Sequence, residues 1–449
     1  MANDQKCMRV LSFRLVRNPS CFSERFPTRF TCWNDKCQTL LVTFLLFSAV
    51  LLIFLSHISF AGTPVLGSKS AGMGTAFTAV SDDPSAIAHN PAGLTQLKGT
   101  NTYGGITLFL PHSTYDSPSG ESVSTDFLIY FPPHLYFVSD LKGKDFHIGL
   151  GIYSPFGIGG KKWDPDGPTR YSSIENLIGT IAVNPTLAYQ LLPSLSVGAG
   201  VEYMYSFTSS ERKINQSILG AADATSSTEA DGGGWGYNIG ILYRPVEQFS
   251  VGLTYRSRIS VDYDGDIELK HIAPALQMMF GGSEFKTDME TSLEFPDTVS
   301  LGIAYRPSEK IVVAVDIDRT MWSTFDSMNM DVKDEVTDAG FTDTSAPLQW
   351  RDIWLFKIGA EYKYSDALSL RAGYTYVQTP VPDSTLDPAF SDADMNAVSF
   401  GFGYRKGVYL FDFGYSAAFY EDRTVGNRIL TGTYGNFAQF VSFSIGKKF

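Results

Sequence analysis

The stretch A-V-S-F-G-F-G-Y-R-K-G, residues 397–407, contains the pattern that decides the fold. Every second residue from Val398 to Tyr404 is large and apolar, and the residues between them are small. The three residues that follow, 405–407, form a short polar turn. Alternation with a period of two is typical of a β-strand that has one apolar face. The stretch therefore predicts a strand that ends in a tight hairpin.

Similar alternating segments lie on both sides of six short polar turns between residue 100 and Phe449, and much longer polar loops separate them. The turns are at 141–144, 191–194, 244–248, 306–310, 364–367 and 405–407. Short turns at one end and long loops at the other are typical of a transmembrane β-barrel. The six turns give twelve strands, and one more strand must lie at each end of the series. The total is fourteen, an even number, as bacterial barrels require. We therefore predict an all-β fold, an antiparallel transmembrane barrel of fourteen strands.

Two features favour a membrane barrel over a secreted β-sandwich or propeller, which remains the alternative. The face opposite the apolar one is rich in Gly, Ser, Ala and Asn rather than in charged residues. Aromatic residues also gather near the short turns, where barrels carry an interfacial girdle. They are Tyr136, Phe137, Tyr189, Tyr243, Tyr305, Tyr362, Tyr364 and Tyr404. The last residue, Phe449, ends an alternating strand, a common signal for the outer-membrane barrel assembly machinery, which we expect as a partner.

A secretory signal is predicted ahead of the barrel. Residues 40–55 are apolar and uncharged, and Ser59-Phe60-Ala61 gives a small-x-small cleavage pattern, so we expect residues 1–61 to be a leader. An uncleaved membrane helix is the alternative. All four cysteines, Cys7, Cys21, Cys32 and Cys37, fall within this leader. We therefore predict no disulfide, no metal site and no cofactor in the mature chain.

Charge and composition narrow the class of protein further. Without residues 1–61, which hold seven Lys/Arg and three Asp/Glu, the chain keeps 28 basic and 44 acidic residues, a formal net charge of −16. This balance argues against binding to nucleic acid. Residues 62–100 contain small residues and turn formers without strand alternation. Because a fourteen-stranded barrel is too wide for its wall side chains to fill, we predict that 62–100 form a hatch inside the barrel of 101–449.

Ordered motifs along the chain resemble one known family. S-A-G-M-G-T-A at 70–76 and Asn90-Pro91-Ala92-Gly93-Leu94 resemble the hatch of the FadL/TodX-type outer-membrane transporters of Gram-negative bacteria. The likeness continues through T-Y-R-S at 254–257, D-I-W at 352–354, R-A-G-Y at 371–374 and T-P-V-P-D at 379–383. N-P-A alone is a weak signal, but the ordered set spans nearly the whole predicted mature chain.

The resemblance implies passive transport of hydrophobic molecules, with long-chain fatty acids first, across the bacterial outer membrane. Outer loops would capture the ligand, the lumen would bind it, the hatch at Asn90, Pro91 and Ala92 would shift, and the ligand would leave sideways into outer-membrane lipid. We expect a monomer, because a self-plugged barrel can work alone. The alternatives are a channel of the same family for aromatic or alkane hydrocarbons, and a general diffusion porin. No catalytic motif is present, so we predict that the protein is not an enzyme.

A break in the predicted third strand, residues 146–160, would provide the lateral opening. Within it lie Pro155, Phe156 and Gly157. Proline cannot donate a hydrogen bond to a strand ladder, and glycine permits a bulge or a bend. These positions resemble the kinked third strand of the family. The alternative is that Pro155 merely ends the strand at the outer rim.

The segment 267–285 is unusually apolar for an outer loop, so we predict ligand capture there. Its apolar cluster consists of Ile272, Leu276, Met278, Met279 and Phe280. Exposed apolar surface often marks a binding site, and methionine adapts to varied ligands. A loop helix that packs on its neighbours is the alternative.

A carboxylate head group would need a cation in the lumen. The family uses an arginine late in strand five, which Arg212 matches, and a lysine before strand ten, which has no counterpart here; Arg351 is the nearest base. Arg256, which we add as a ligand-binding candidate, also falls on the predicted inward face. Two further bases with this placement are Arg258 and Lys357, and pairing of these cations with lumen acids such as Asp262 and Asp316 is the favoured alternative to ligand contact.

Overall fold

The computed structural model describes residues 65–141 and 145–449. The predicted leader therefore lies outside the described residues, and so do residues 142–144 of the first predicted turn. Within the described part, all strand segments belong to one sheet, and every pairing in it is antiparallel. The last strand pairs with the first, from Asn101 opposite Lys448 to Asp116 opposite Thr433, so the sheet closes on itself.

The strand segments have the following bounds, in chain order. They are β1 (Thr100–Asp116), β2 (Ser122–Ser124), β3 (Pro133–Asp140), β4 (Phe146–Tyr153), β5 (Ile158–Lys162), β6 (Glu175–Leu192), β7 (Leu195–Ile214), β8 (Ala224–Val246), β9 (Phe249–Arg256), β10 (Ile259–Lys270), β11 (Glu284–Phe295), β12 (Thr298–Ser308), β13 (Ile311–Thr320), β14 (Ser327–Val332), β15 (Thr344–Pro347), β16 (Ile353–Lys363), β17 (Leu368–Val377), β18 (Met395–Lys406), β19 (Tyr409–Tyr420), β20 (Arg423–Val425) and β21 (Gly432–Lys448). Some segments are two parts of one barrel strand, as β4 with β5 and β9 with β10, and the described residues form a closed barrel of fourteen strands. The predicted fold is confirmed.

Helices are few and short. They are α1 (Ser68–Gly72), α2 (Ala86–His89) and α3 (Gln277–Phe280), with 3-10 turns at Pro91–Gln96, Ser217–Leu219, Trp322–Thr324 and Thr337–Ala339. In the described part of the chain, no helix has the length and apolar character needed to cross a membrane.

The barrel wall has an apolar outer face and a small or polar inner face, as the alternation predicted. On β8, Tyr237, Ile239 and Ile241 are exposed, whereas Asn238 and Gly240 face inward. Most of the predicted girdle is exposed at the outer surface; its exposed members include Phe137, Tyr243, Tyr305, Tyr362, Tyr364 and Tyr404. The prediction for Tyr136 was wrong. Its side chain is fully buried because it lies on the inner face of β3. There it donates a hydrogen bond at 2.8 Å to the carbonyl of Leu66, which belongs to the segment that fills the lumen.

Residues 65–97 cross the inside of the barrel. Helix α1 contacts β17, β18 and β19, whereas the 3-10 turn at Pro91–Gln96 contacts β4, β6, β7 and β8 on the other side. Side chains of the wall hold this segment by its backbone: Asp316 accepts from the amides of Phe77 and Thr78 at 2.8 Å each. We call residues 65–97 the hatch.

A second segment closes the outer side of the lumen. Residues 378–394 connect β17 to β18, and most of them are buried. They contact distant parts of the wall: Trp163, beyond β5, donates to the Pro388 carbonyl at 3.2 Å, and Trp350, before β16, packs on Phe390 with ring centroids 5.6 Å apart. Because β5 and β17 lie on opposite sides of the closed sheet, this loop spans the lumen. We call residues 378–394 the roof loop.

Candidate functional site

A cavity of about 130 Å³ lies between the hatch and the barrel wall. An apolar cavity of similar size can hold a benzene-sized ring. Its lining includes Ala88, His89 and Pro91 of the hatch, Pro155 and Phe156 after β4, Arg256 of β9, Trp322, and Lys357 of β16. Parts of the predicted hatch motif, of the predicted lateral opening and of the predicted head-group site therefore meet at one space.

Two cations face this cavity, and each is paired with a buried acid. Arg256 forms an ion pair with Glu202, and Lys357 lies 2.5 Å from the Asp318 carboxylate. Both cations are thus paired with lumen acids, as the favoured alternative expected, and contact of either cation with a ligand stays a prediction. The acids that we named were wrong: Asp262 is exposed and accepts from Ser292 at 2.7 Å, and Asp316 binds the hatch amides.

The third barrel strand is broken where the cavity meets the wall. Tyr153 pairs with Ala182 and Ile158 pairs with Gly179, so four residues, 154–157, lie opposite only two residues of β6. Gly157 has a φ of +82°, which favours glycine, and its carbonyl accepts hydrogen bonds from the amide and hydroxyl of Thr180 at 3.0 and 3.1 Å. The strand then resumes as β5, so Pro155 does not end it at the rim.

The other side of this break has few backbone hydrogen bonds. Strand β3 pairs with β4 only up to His134 opposite Tyr153, and β5 pairs with β6 but not with β3 among the described residues. The amide of Asp126 donates to the Lys162 carbonyl at 2.8 Å above the break. The wall beside 154–157 is therefore its least hydrogen-bonded part next to the cavity.

An aromatic cluster leads from the break to the roof loop. Ring centroids are 4.7 Å apart for Phe156 and Phe295, 5.2 Å for Trp322 and Phe325, and 5.1 Å for Phe325 and Trp350. Sequence reasoning missed this cluster. A signal was available in the sequence. The stretches M-W-S-T-F at 321–325 and P-L-Q-W-R-D at 347–352 interrupt the strand alternation, and each contains a tryptophan.

Comparison with known proteins decides the family. Residues 52–444 match the family described as outer membrane protein transport protein (OMPP1/FadL/TodX). The chain belongs to this family. It is 25% identical over 419 residues to the long-chain fatty acid transport protein of Escherichia coli O6:H1 (strain CFT073), covering 82% of this chain and 92% of that one. Like its relatives, it is an integral protein of the outer membrane.

Solved structures show the same fold. A Pseudomonas aeruginosa FadL homologue is similar with a TM-score of 0.75 and 20% identity, covering 87% of this chain and 100% of that one. The toluene transporter TodX of Pseudomonas putida has a TM-score of 0.70 and 22% identity, covering 85% and 98%. The relatives are transporters rather than enzymes.

Other predicted head-group residues of this FadL/TodX-family chain lie away from the cavity. Arg212 is buried on β7, opposite Ser226 of β8, and Arg351 is exposed, with its amide bound to the Pro380 carbonyl at 2.9 Å. Neither lines the described cavity. The predicted inward position of Arg258 was wrong: it is exposed and lies 3.2 Å from Glu294, because the break between β9 and β10 shifts the alternation.

The predicted capture loop divides into strand ends and a short loop. Residues 267–270 continue β10 and 284–285 begin β11, so the loop is 271–283 and contains the single turn of α3. Ile272, Leu276 and Phe280 are buried, as the alternative of a packed loop helix expected. Met279 is 41% exposed and Met278 is 95% exposed. These two methionines form the apolar surface that the loop offers.

Burial shifts the pKa of two hatch groups, and one of them, His89, lines the cavity. Burial, together with the charges of Lys357 and Arg256, lowers the pKa of His89 to about 3, so the ring is uncharged near neutral pH. Burial raises the pKa of Asp83 to about 6, although Lys69 acts in the opposite direction. The strongest charges at the cavity are therefore the two paired cations of the wall.

Proposed function

We propose that this family member carries hydrophobic molecules, with long-chain fatty acids first, across the outer membrane. The observation that supports this most directly is the cavity bounded by Pro91 of the hatch, Phe156 at the strand break and Arg256 of the wall. A ligand there touches the plug, the candidate exit and a cation at the same time. One relative, which is 25% identical to this chain, is a long-chain fatty acid transport protein.

The path begins at the outer surface. Met278 and Met279 give an incoming apolar molecule a first contact, and the aromatic cluster from Trp350 to Phe156 gives it an apolar route below the roof loop. The lumen cavity is only about 130 Å³, which suits a head group or a single ring rather than a whole acyl chain. The chain of a fatty acid would therefore extend along the aromatic cluster.

Exit through the wall at 154–157 follows from the same geometry. The cavity lining is about half polar, with Thr75, Thr78, Asn238 and Ser300 among its members. An apolar chain that moves from there into lipid gains roughly 0.8 kcal/mol for each CH₂ that is buried. We propose that the hatch shifts at Asn90-Pro91-Ala92 and that the ligand leaves between β3 and β5.

Uptake of an uncharged hydrocarbon is the second candidate. It is favoured by the aromatic cluster and by the pairing of Arg256 and Lys357 with acids, because a neutralised site does not require an anion. A general diffusion porin fits less well, since the hatch and the roof loop both cross the lumen. We further propose that one chain is the working unit, because a barrel that is plugged by its own hatch can work alone.

A binding titration tests the proposal. Purified protein in detergent would bind a fluorescent long-chain fatty acid, and oleate or an uncharged hydrocarbon of similar size would displace it. Displacement by oleate alone supports a fatty-acid transporter. Equal displacement by both supports a hydrocarbon or broad-range transporter, and absence of saturable binding overturns both and favours the porin.

A further inference from the structure

One side chain contacts three parts of the proposed transport path. The guanidinium of Arg256 donates to the Ala88 carbonyl of the hatch at 2.9 Å and to the hydroxyl of Tyr153 at 3.2 Å. Tyr153 is the last residue of β4, directly before the strand break. The same guanidinium forms the ion pair with Glu202 of β7. Arg256 therefore contacts the hatch, the edge of the candidate exit and strand β7 of the barrel wall.

The environment of Arg256 keeps its charge in place. The side chain of Glu202 is fully buried, and its Oε1 atom has no hydrogen-bond partner among the described residues. A buried carboxylate needs a close cation, so Glu202 holds Arg256 at this position. The Arg256 side chain is still 15% exposed and lines the cavity, so an anion that enters can reach it.

We propose that Arg256 is the positioning residue that couples an anionic head group in the cavity to movement of the hatch. This inference rests on the proposed transport of fatty acids. A carboxylate in the cavity competes with the Ala88 carbonyl for the guanidinium, because its full negative charge attracts the cation more strongly than the dipole of a carbonyl does and can accept two parallel hydrogen bonds. Loss of the bond to Ala88 leaves Asn238, which donates to the Ile87 carbonyl at 2.7 Å, as the wall's bond to α2 and so loosens this end of the helix, whereas an uncharged ligand leaves both bonds intact.

Lys357 provides a matched comparison. It lines the same cavity and is paired with the buried Asp318, as Arg256 is paired with Glu202. Within the described residues, the Lys357 side chain donates to Asp318 and not to the hatch backbone, whereas Arg256 donates to Ala88 of the hatch and Asn238, an uncharged neighbour in the lining, donates to Ile87. A general effect of removing a lumen charge should appear in both variants, and a coupling effect only in the Arg256 variant.

The test measures access to the hatch. The described residues contain no cysteine, so Ala88→Cys gives one reactive thiol in a chain whose four leader cysteines are serine. Its labelling rate with a maleimide would be measured without ligand, with oleate, and with oleyl alcohol, which has the same chain and no carboxylate. The variants are Arg256→Gln combined with Glu202→Gln, which leaves no buried charge behind, and Lys357→Gln combined with Asp318→Asn.

We expect oleate to raise the labelling rate about tenfold in the parent chain and oleyl alcohol to leave it unchanged, since one charge-assisted bond is lost. The Arg256 variant should label fast without ligand and gain nothing from oleate, and the Lys357 variant should respond like the parent. An oleate response that survives in the Arg256 variant, or disappears equally in the Lys357 variant, overturns the coupling. Fluorescent fatty-acid displacement separates the two proposals: binding without any labelling response overturns the coupling alone, and no binding overturns the transport function as well.

Discussion

Gly240 of β8 lies directly against Asn90 of the hatch, and a Cβ atom at position 240 would overlap the Asn90 side-chain oxygen. Asn90 in turn donates to the carbonyls of Thr78 and Ile241 at 2.9 and 3.1 Å. The neighbouring strands repeat this contact, since Gly198 and Gly252 also face hatch backbone. The inner face of the wall is thus shaped by glycines into a seat for the hatch.

Gly240→Ala should displace the hatch near Asn90. The added methyl meets the oxygen of the Asn90 amide group, which two hydrogen bonds from its nitrogen and one from the Ala92 amide to its oxygen hold in place, and overpacking of this kind costs about 1–3 kcal/mol. Hydrogen exchange of residues 86–96 should become faster, while exchange in the strands stays unchanged. Gly426→Ala is the matched control, because a Cβ there has nothing within 4 Å. Equal exchange in Gly240→Ala and the parent chain would contradict the seat.

Deletion of Ser154 and Pro155 should close the wall. The four residues 154–157 face two residues of β6, so removing two restores one-to-one pairing and preserves the alternation of faces. We expect uptake of labelled fatty acid by cells to fall strongly, while binding to the purified protein remains, because Phe156 is kept. Uptake that equals the parent's would remove the argument for exit at this break. Deletion of Ser119 and Gly120, in an exposed outer turn, controls for the effect of shortening the chain.

Asp387→Asn should remove the pH response of the roof loop between about pH 6 and pH 8, whereas Asp392, whose pKa burial raises to about 6, keeps the response at lower pH. Burial raises the pKa of Asp387 to about 8, although the amides of Phe390 and Ala389 act in the opposite direction. Because the infolded loop binds this proton more tightly than an open loop does, its stability falls as the pH rises from about 4 to about 8. Above pH 8 the loop should exchange amide hydrogens faster, after correction for intrinsic rates. The same pH response in Asp387→Asn would show that another group titrates.

Asp264→Asn should stabilise the barrel. On the exposed face of β10, Asp264 lies directly opposite Glu290 of β11 and Asp231 of β8, and Glu290 lies opposite Asp331 of β14. Like charges in direct cross-strand pairs are destabilising, by about 0.2–1 kcal/mol for each pair. The gain, measured as the urea midpoint of unfolding, should shrink at high salt because exposed charges are screened. A gain that persists in 1 M salt would point to a cause other than charge repulsion.

The alternation of side chains made the barrel predictable, because a wall one residue thick has only two faces. Pro155 and Gly157 marked the strand break for a similarly local reason: neither residue type suits a regular ladder. Arg258 shows the limit of this reasoning. Residues 257 and 258 lie opposite a single residue of β8, which shifts the parity by one, and no property of Arg258 itself reveals that its side chain points outward.

The roof loop was out of reach for sequence reasoning. Its polar residues, such as Asp387 and Ser391, look like those of a solvated outer loop. They are buried because Lys161, more than two hundred positions earlier, donates to the carbonyl of Ser391 at 3.1 Å. Likewise, Arg212 matched the head-group arginine of the family and Arg256 did not, although Arg256 lies within the T-Y-R-S motif, yet the fold brings Arg256 to the cavity. Partners that are distant in the chain decide both cases.

Two segments obstruct the lumen of the barrel: the hatch on the inner side and the roof loop on the outer side. Because both segments cross the lumen, we expect ions and sugars to pass poorly and the protein in a planar bilayer to carry almost no current at rest. A cell can therefore hold many copies of such a protein without making its envelope leaky to hydrophilic antibiotics. Entry is left to hydrophobic molecules, which lose little free energy when they give up their hydration.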